Sequence, residues 1–297
     1  MGRHDERTDA RHEAPRVKPE EAPSRLADDR TAFGRPPHLR LPETPVREPI
    51  DHRSHQYRLN GEETRILATV GAFRVVPAAD LDDARRNADV WNGPIRGLAE
   101  QGLVERRTLV INEQPTAVVV LTREGKSLLD ASQDDSRDGA RQQYHAGLVK
   151  PRELAHDSQL LRLYQHAAAR LEGEGHRIER VVLDYELKRD YQIFLNRAER
   201  SPDVDTDMRV FAEARQLPIV DGHLELPDLR IEYETPEGLL EYRDVELVTE
   251  HYSRGQLAGK AQAGFSLYRA AGTAKVRAGS TRTGGTPADP HHLEWLQ

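Results

Sequence analysis

The sequence contains no cysteine. Disulfides and thiolate metal sites are therefore excluded, and a reducing, cytoplasmic location is the expectation. Long apolar runs are missing as well. No stretch approaches the roughly 20 residues that a membrane-spanning helix requires, and the first residues carry no apolar run of a secretion signal, so no export and no membrane contact are expected. A strong excess of positive charge is also absent. The net charge of −7 over 297 residues is awkward for a nucleic-acid binder, because phosphate contact needs cations, but it leaves room for local patches. Apolar residues make up 37%, charged residues 31%, and mean hydropathy is −0.75, so part of the chain is expected outside any core. The length suits two modest domains rather than one large core.

Residues 1–58 mix Arg, Asp, Glu, His and Pro with few large apolar side chains. Such a segment buries too little to offset its ordering entropy, so it reads as a disordered tail with nearly balanced charges. From Asn60 the pattern changes. Asn60 followed by Glu63 is a capping-box signature, and Ile66, Leu67, Val70 and Phe73 recur at helical spacing. A second short helix fits 77–86, with Pro77 in its first turn. A third is capped by Asn92, carries Pro94 in its first turn and is closed by Gly102. Two alternating runs follow, 103–111 and 116–121, joined by Asn112-Glu113-Gln114-Pro115, and Thr122 opens another helix. Three helices, a ribbon and a helix over 59–130 make the order of a winged helix-turn-helix. Arg85, Arg86, Arg96, Arg106 and Arg107 are its candidate contacts to double-stranded DNA, with Arg123 and Lys126 beyond the ribbon. Seven nearby acids, among them Asp80, Glu100 and Glu105, keep the segment from being basic. Service as a protein-interaction or dimerisation module stays open, and a homodimer is a further expectation.

Residues 131–150 show no periodic core and read as a linker. Next comes an amphipathic helix with Leu154, Leu161, Tyr164, Ala168 and Leu171 on one face, stopped by Gly173 and Gly175. His156-Asp157 near its start reads as a cap and surface pair, or as the outer part of a site. Val181, Leu183, Tyr185 and Leu187 alternate as a strand, followed by helical material from Lys188 to about Gln216 that breaks near Ser201-Pro202-Asp203. The stretch 224–271 is the most site-like. Two alternating runs flank Thr235-Pro236-Glu237-Gly238, and a three-residue loop with Gly238 at positive φ sets Asp228 opposite Glu246. Leu229, Ile231, Tyr233, Val245 and Leu247 form the apolar side; Asp228, Arg230, Glu232, Tyr242, Asp244 and Glu246 form the other. Facing carboxylates repel unless something positive lies between them. A divalent metal, Mg²⁺ held by Asp228 and Glu246, is one answer. The other is an exposed hairpin face on which acids are harmless. A helix is expected from about 253 to 271.

Pro227-Asp228 on one strand, Glu246 on the next and a following helix bearing Lys260 resemble the PD-(D/E)xK nuclease fold. The resemblance implies that Asp228 and Glu246 hold Mg²⁺ and that a lysine helps activate the attacking water. The family's usual lysine position is Val248 here, and Lys260 is the residue that would stand in for it. The family's core would continue into a further strand, and the Gly-, Thr-, Pro- and Ala-rich residues 272–297 leave that strand short or missing.

Taken together, GLAEQGLVERR, LTREGKSLL, LAHDSQLLRLY, PD, VELVTE and GQLAGKAQAGFSLY resemble the replication-relaxation family. That family comprises proteins of bacterial plasmids and integrated mobile elements, associated with plasmid replication and DNA relaxation. The resemblance spans roughly residues 60–270. It implies an α+β chain: a winged helix over 59–130, a linker over 131–150, a restriction-endonuclease-like α/β domain over 151–272 and a flexible tail over 273–297. The expected function is that of a DNA-binding accessory protein in replication, relaxation or mobilisation, with replication or mobilisation proteins as partners. Its nuclease-like domain, with Asp228, Glu246 and Lys260 in the catalytic positions, is expected to be weak or inactive. An active Mg²⁺-dependent endonuclease or nickase and a winged-helix transcriptional regulator are the alternatives.

Overall fold

The computed structural model describes residues 39–81, 91–134, 141–148, 153–197, 203–249 and 252–269. Its first elements fall where disorder was expected. Strands β1 (Glu48–His52) and β2 (His55–Leu59) form an antiparallel hairpin, and Leu39, Leu41, Tyr57 and Leu59 are buried. The disordered reading is thus corrected over 39–58: a handful of apolar residues in a charged background is enough when Leu39, Leu41, Tyr57 and Leu59 reach one core, although Val46 stays exposed. Residues 1–38 and the tail expected over 273–297 lie outside the described residues.

Helix α1 (Gly61–Ala72) begins with the capping box read from the sequence. The Asn60 side chain accepts the Glu63 N–H at 2.9 Å, and the Glu63 carboxylate accepts the Asn60 N–H at 3.1 Å. Strand β3 (Val76–Pro77) and a one-turn 3-10 helix, Ala78–Asp80, stand where the second helix was expected to start. The rest of that helix, with Arg85 and Arg86, lies outside the described residues. Helix α2 (Pro94–Glu100) is present and ends at Gly102, whose φ is +73°. Its cap position is Gly93 rather than Asn92, with no side-chain bond.

Strands β4 (Val104–Ile111) and β5 (Gln114–Leu121) close through Asn112 and Glu113, both at positive φ (48° and 64°). That is the two-residue connection whose twist matches a ribbon, so Gln114 and Pro115 belong to the strand and not to the turn. β3 pairs antiparallel with β5 along its other edge. Helix α3 (Arg123–Ala131) starts under Thr122, which accepts the Gly125 N–H at 3.0 Å.

The second half opens with helix α4 (Leu154–Gly173), strand β6 (Arg177–Leu183), helix α5 (Asp184–Leu195) and helix α6 (Val204–Ala214). A short hairpin, β7 (Ile219–Val220) and β8 (His223–Leu224), leads to β9 (Leu229–Glu234), β10 (Leu240–Val248), helix α7 (Arg254–Gln262) and β11 (Ser266–Arg269). The sheet runs β11-β10-β9-β6, with β11 parallel to β10 and the other neighbours antiparallel. Two readings are corrected here. Tyr185 and Leu187 belong to α5, because the Glu186 carboxylate accepts the Leu183 N–H at 3.1 Å and starts a helix where the alternation ran on. The last helix stops at Gln262, Gly264 takes φ +82°, and the next residues form the four-residue β11. The final strand is therefore short, and it lies ahead of residue 272.

Both faces of the sheet are covered. Leu229, Ile231, Tyr233, Val245 and Leu247 are buried in the core that includes α4. On the other face Val182, Leu187, Phe211, Ala212 and Leu217 form a second cluster, and Arg230, Asp244 and Glu246 retain only 5%, 8% and 1% exposure. The exposed-face reading of the hairpin fails on this count.

The halves are not strung on a loose linker. One continuous apolar core runs from Leu39 through α1, Tyr144 and α4 to Leu247. Residues 141–148 are its seam: Gln142 exchanges bonds of 2.9 Å with both the N–H and the carbonyl of Val181, the His145 N–H reaches Gly71 O at 2.8 Å, and the Gly147 N–H reaches Leu121 O at 2.8 Å. Among the described residues no helix is long and apolar enough to cross a membrane.

Candidate functional site

The β9–β10 register is the one the turn dictated. The Thr235 N–H bonds Leu239 O and the Gly238 N–H bonds Thr235 O, at 2.8 and 2.9 Å, with Gly238 at φ +81°. Leu229 consequently pairs with Val245, and Asp228 precedes its strand opposite Glu246. The two acids do not simply confront each other. The Asp228 N–H donates to Glu246 Oε2 at 3.1 Å, and the Leu247 N–H donates to Asp228 Oδ2 at 2.8 Å, so each carboxylate takes an amide of the opposite chain segment.

Cations and a phenol occupy the remaining oxygens. Lys260, from the last turn of α7, lies 3.1 Å from Glu246 Oε1 and 3.1 Å from Glu225 Oε2, and donates to Leu226 O at 2.9 Å. All three ammonium protons thus have acceptors. The Tyr252 hydroxyl donates to Glu246 Oε1 at 2.6 Å. His156, in the first turn of α4, places Nε2 3.1 Å from Asp228 Oδ1 and Nδ1 3.3 Å from Asp157 Oδ1. Asp157 continues to Arg74 at 3.2 Å. Asp228, Glu246 and Lys260 therefore meet, and His156 joins them through Asp228, as the outer part of a site would. Glu225 and Tyr252 join the cluster without having been singled out. The signal for Tyr252 lay in its position between the second acid and the Ser253 cap of α7, and nothing in the spacing marked Glu225.

Burial and charge compete at each group. Burial disfavours charged His156, but its bonds to Asp157 and Asp228 and their negative charges prevail and hold the imidazole protonated, with a pKa of about 10. Burial pushes Glu246 up, and Asp228 adds to this, against the pull of Tyr252 and Lys260. Burial would lower Lys260, yet Glu246 and Glu225 raise it. Tyr252 is driven far up by burial and by the Glu246 carboxylate it bonds.

Two carboxylates can hold Mg²⁺ when their oxygens face a common space that water and phosphate share. Here every oxygen of Asp228 and Glu246 already accepts a protein donor. Among the described residues no three His, Asp or Glu side chains gather at metal-binding spacing. As arranged, the donor set is neutralised from within by Lys260 and His156 and does not fit a metal.

The cations expected to contact DNA lie elsewhere. Arg96, on α2, is exposed and pairs with Glu100 at 2.7 Å. Arg106 lies over the Trp91 ring with its guanidinium carbon 4.0 Å from the centroid, and Arg107 pairs with Glu105 at 2.6 Å. Arg106 and Arg107 share the ribbon strand β4, and none of the three touches the acid cluster. Comparison with protein-family models, with curated proteins and with solved structures finds no match for this chain.

Proposed function

We propose that the chain is a DNA-binding accessory protein, acting in replication, relaxation or mobilisation of a plasmid or integrated element, with a nuclease-like body that is weak or inactive in cutting. The observation that carries the reading is the meeting of Asp228, Glu246 and Lys260 at one end of a sheet whose elements come in the order α4-β6-β9-β10-α7-β11, with α5, α6 and the short β7–β8 hairpin inserted between β6 and β9. That order and those positions are what the likeness to PD-(D/E)xK nucleases implies. The first half supports the same reading. A helix, a short strand, a second helix and a ribbon whose second strand pairs back to the short one fit a winged helix, with Arg96, Arg106 and Arg107 as phosphate contacts.

The hydrogen bonding supports the weak or inactive reading. Cutting by metal-activated water requires carboxylate oxygens that are free to take the ion, and those of Asp228 and Glu246 are held by His156, Lys260, Tyr252 and two backbone amides. The test is incubation of the protein with supercoiled plasmid and Mg²⁺ or Mn²⁺, beside a gel-shift assay on duplex DNA. Retarded duplex without nicking is the expected result. Nicking that disappears in Asp228→Ala and Glu246→Ala would replace this reading with a metal-dependent nuclease, and failure to retard any duplex would end it. Mapping of selected fragments separates an accessory role, enriched at origins, from transcriptional regulation, enriched at the protein's own promoter.

A further inference from the structure

Strand β10 outruns its neighbour on one side. It pairs with β9 over Leu240–Val245, whereas β11 lies against Val245–Val248 alone. Among the described residues no strand covers the outer edge of Leu240–Asp244. The pairing with β9 decides which backbone groups face that edge. The Thr235 N–H bonds Leu239 O across the turn, so alternate residues from Leu239 onward turn to β9, and the N–H and C=O of Leu240 and Tyr242 turn outward. Leu239, Leu240 and Tyr242 are 61%, 72% and 38% exposed. An open edge that carries large apolar side chains is a template for another strand.

This edge is complementary to itself. It is bounded by the turn at Leu239 and by the start of β11 beside Val245, so its centre is Tyr242. A second copy laid antiparallel about that centre sets Tyr242 against Tyr242, where the two residues exchange both backbone bonds, and sets Glu241 against Arg243 twice. Each of those side chains gains from the register. Glu241 accepts the Tyr233 hydroxyl at 3.1 Å and pairs with no cation among the described residues. Arg243 stands 3.6 Å from a Glu174 carboxylate that Arg170 already holds at 2.9 Å, so two guanidinium groups share one acid. The same register brings Leu240 of one copy to Asp244 of the other, at a cavity of about 520 Å³ that Leu217, Pro218, Gly264 and Ser266 help to line. A Cβ on Gly264 would meet nothing within 4 Å, so the approach there is open. We propose that two copies of the chain associate by antiparallel pairing of Leu240–Asp244, joining their sheets into one. The interface shares no residue with α2, the ribbon or the acid cluster and stands whether or not the chain grips DNA.

The test is sedimentation velocity on the full chain between about 1 and 100 μM, the range suited to a small interface. The wild type is expected to pass from monomer to dimer across it. Glu241→Arg and Arg243→Glu each set like charges opposite one another at both ends of the pairing, and each alone should self-associate about tenfold or more weakly. Mixed in equal amounts the two variants should dimerise as the wild type does, because every altered side chain then faces its opposite charge. Leu240→Lys, at an exposed position, should lose the dimer as well. Unchanged thermal melts check the fold of each variant. A wild type that stays monomeric throughout overturns the proposal, and that is the outcome if residues of the same chain beyond 269 cover the edge. Single variants that dimerise like the wild type, or that remain apart when mixed, overturn it too.

Discussion

Nε2 of His156 lies 3.1 Å from Oδ1 of Asp228, tying the first turn of α4 to the acid that opens β9. The imidazole also faces Asp157, whose other partner is Arg74. With a folded pKa of about 10 against 6.5 for a free imidazole, the protonated form favours the native state. A raised folded pKa means that this stability is complete below about pH 6.5 and disappears as pH climbs through about 10. We expect urea denaturation to show a loss on the order of 3 kcal/mol across that interval, and His156→Gln to remove most of the slope. A wild-type profile that stays level there refutes the assignment.

Lys260 neutralises Glu246, whose residue is 1% exposed, and Glu225 beside it. Lys260→Met leaves a buried carboxylate uncompensated and should lower unfolding free energy by about 3 kcal/mol. Adding Glu246→Leu to that variant should restore part of the loss, since the stranded charge goes with it. Strictly additive losses in the double variant would show that the two side chains are not coupled.

Arg230 and Asp244 form a two-pronged ion pair of 2.7 and 2.8 Å beneath α6, and the same guanidinium holds the carbonyls of Arg215 and Gln216 at 2.5 and 3.0 Å. An ammonium cannot reach four acceptors spread in one plane, so Arg230→Lys should cost about 2 kcal/mol or more. Hydrogen exchange provides the second readout: amides of 211–217 should lose protection ahead of those in β5.

Gly125 and Gly173 are both helical glycines with opposite surroundings. A Cβ on Gly125 would collide with the Leu103 carbonyl oxygen and the Leu121 side chain, whereas one on Gly173 meets nothing. Gly125→Ala should lower the melting temperature by roughly 10 °C or more, and Gly173→Ala should raise it by a few degrees, about 0.5–1 kcal/mol of helix propensity. Similar shifts for the two would contradict the packing of α3 on residue 103.

The features legible in the sequence were those with local causes. The Asn60–Glu63 box, the Thr122 cap and the Pro236–Gly238 loop each specify their own hydrogen bonds, and the loop alone was enough to bring Asp228 opposite Glu246. What escaped depended on distant partners. The hairpin 48–59 is too poor in apolar residues to predict a core, and only the packing of Leu39, Tyr57 and Leu59 into the common cluster orders it. The break at Gly264, which turns 266–269 into a strand, is decided by pairing with β10 rather than by propensity. For His156 the sequence leaves a surface pair and the outer part of a site both open, because the partner that decides between them, Asp228, lies 72 positions further along the chain. The saturation of both carboxylates could not be read from spacing, since two of the donors are backbone amides.

A single apolar mass beneath the ribbon, the seam and the sheet has a mechanical corollary. Among the described residues the ribbon and the end of the sheet that carries the acids rest on the same buried cluster, so neither can be displaced without disturbing side chains that the other also packs against.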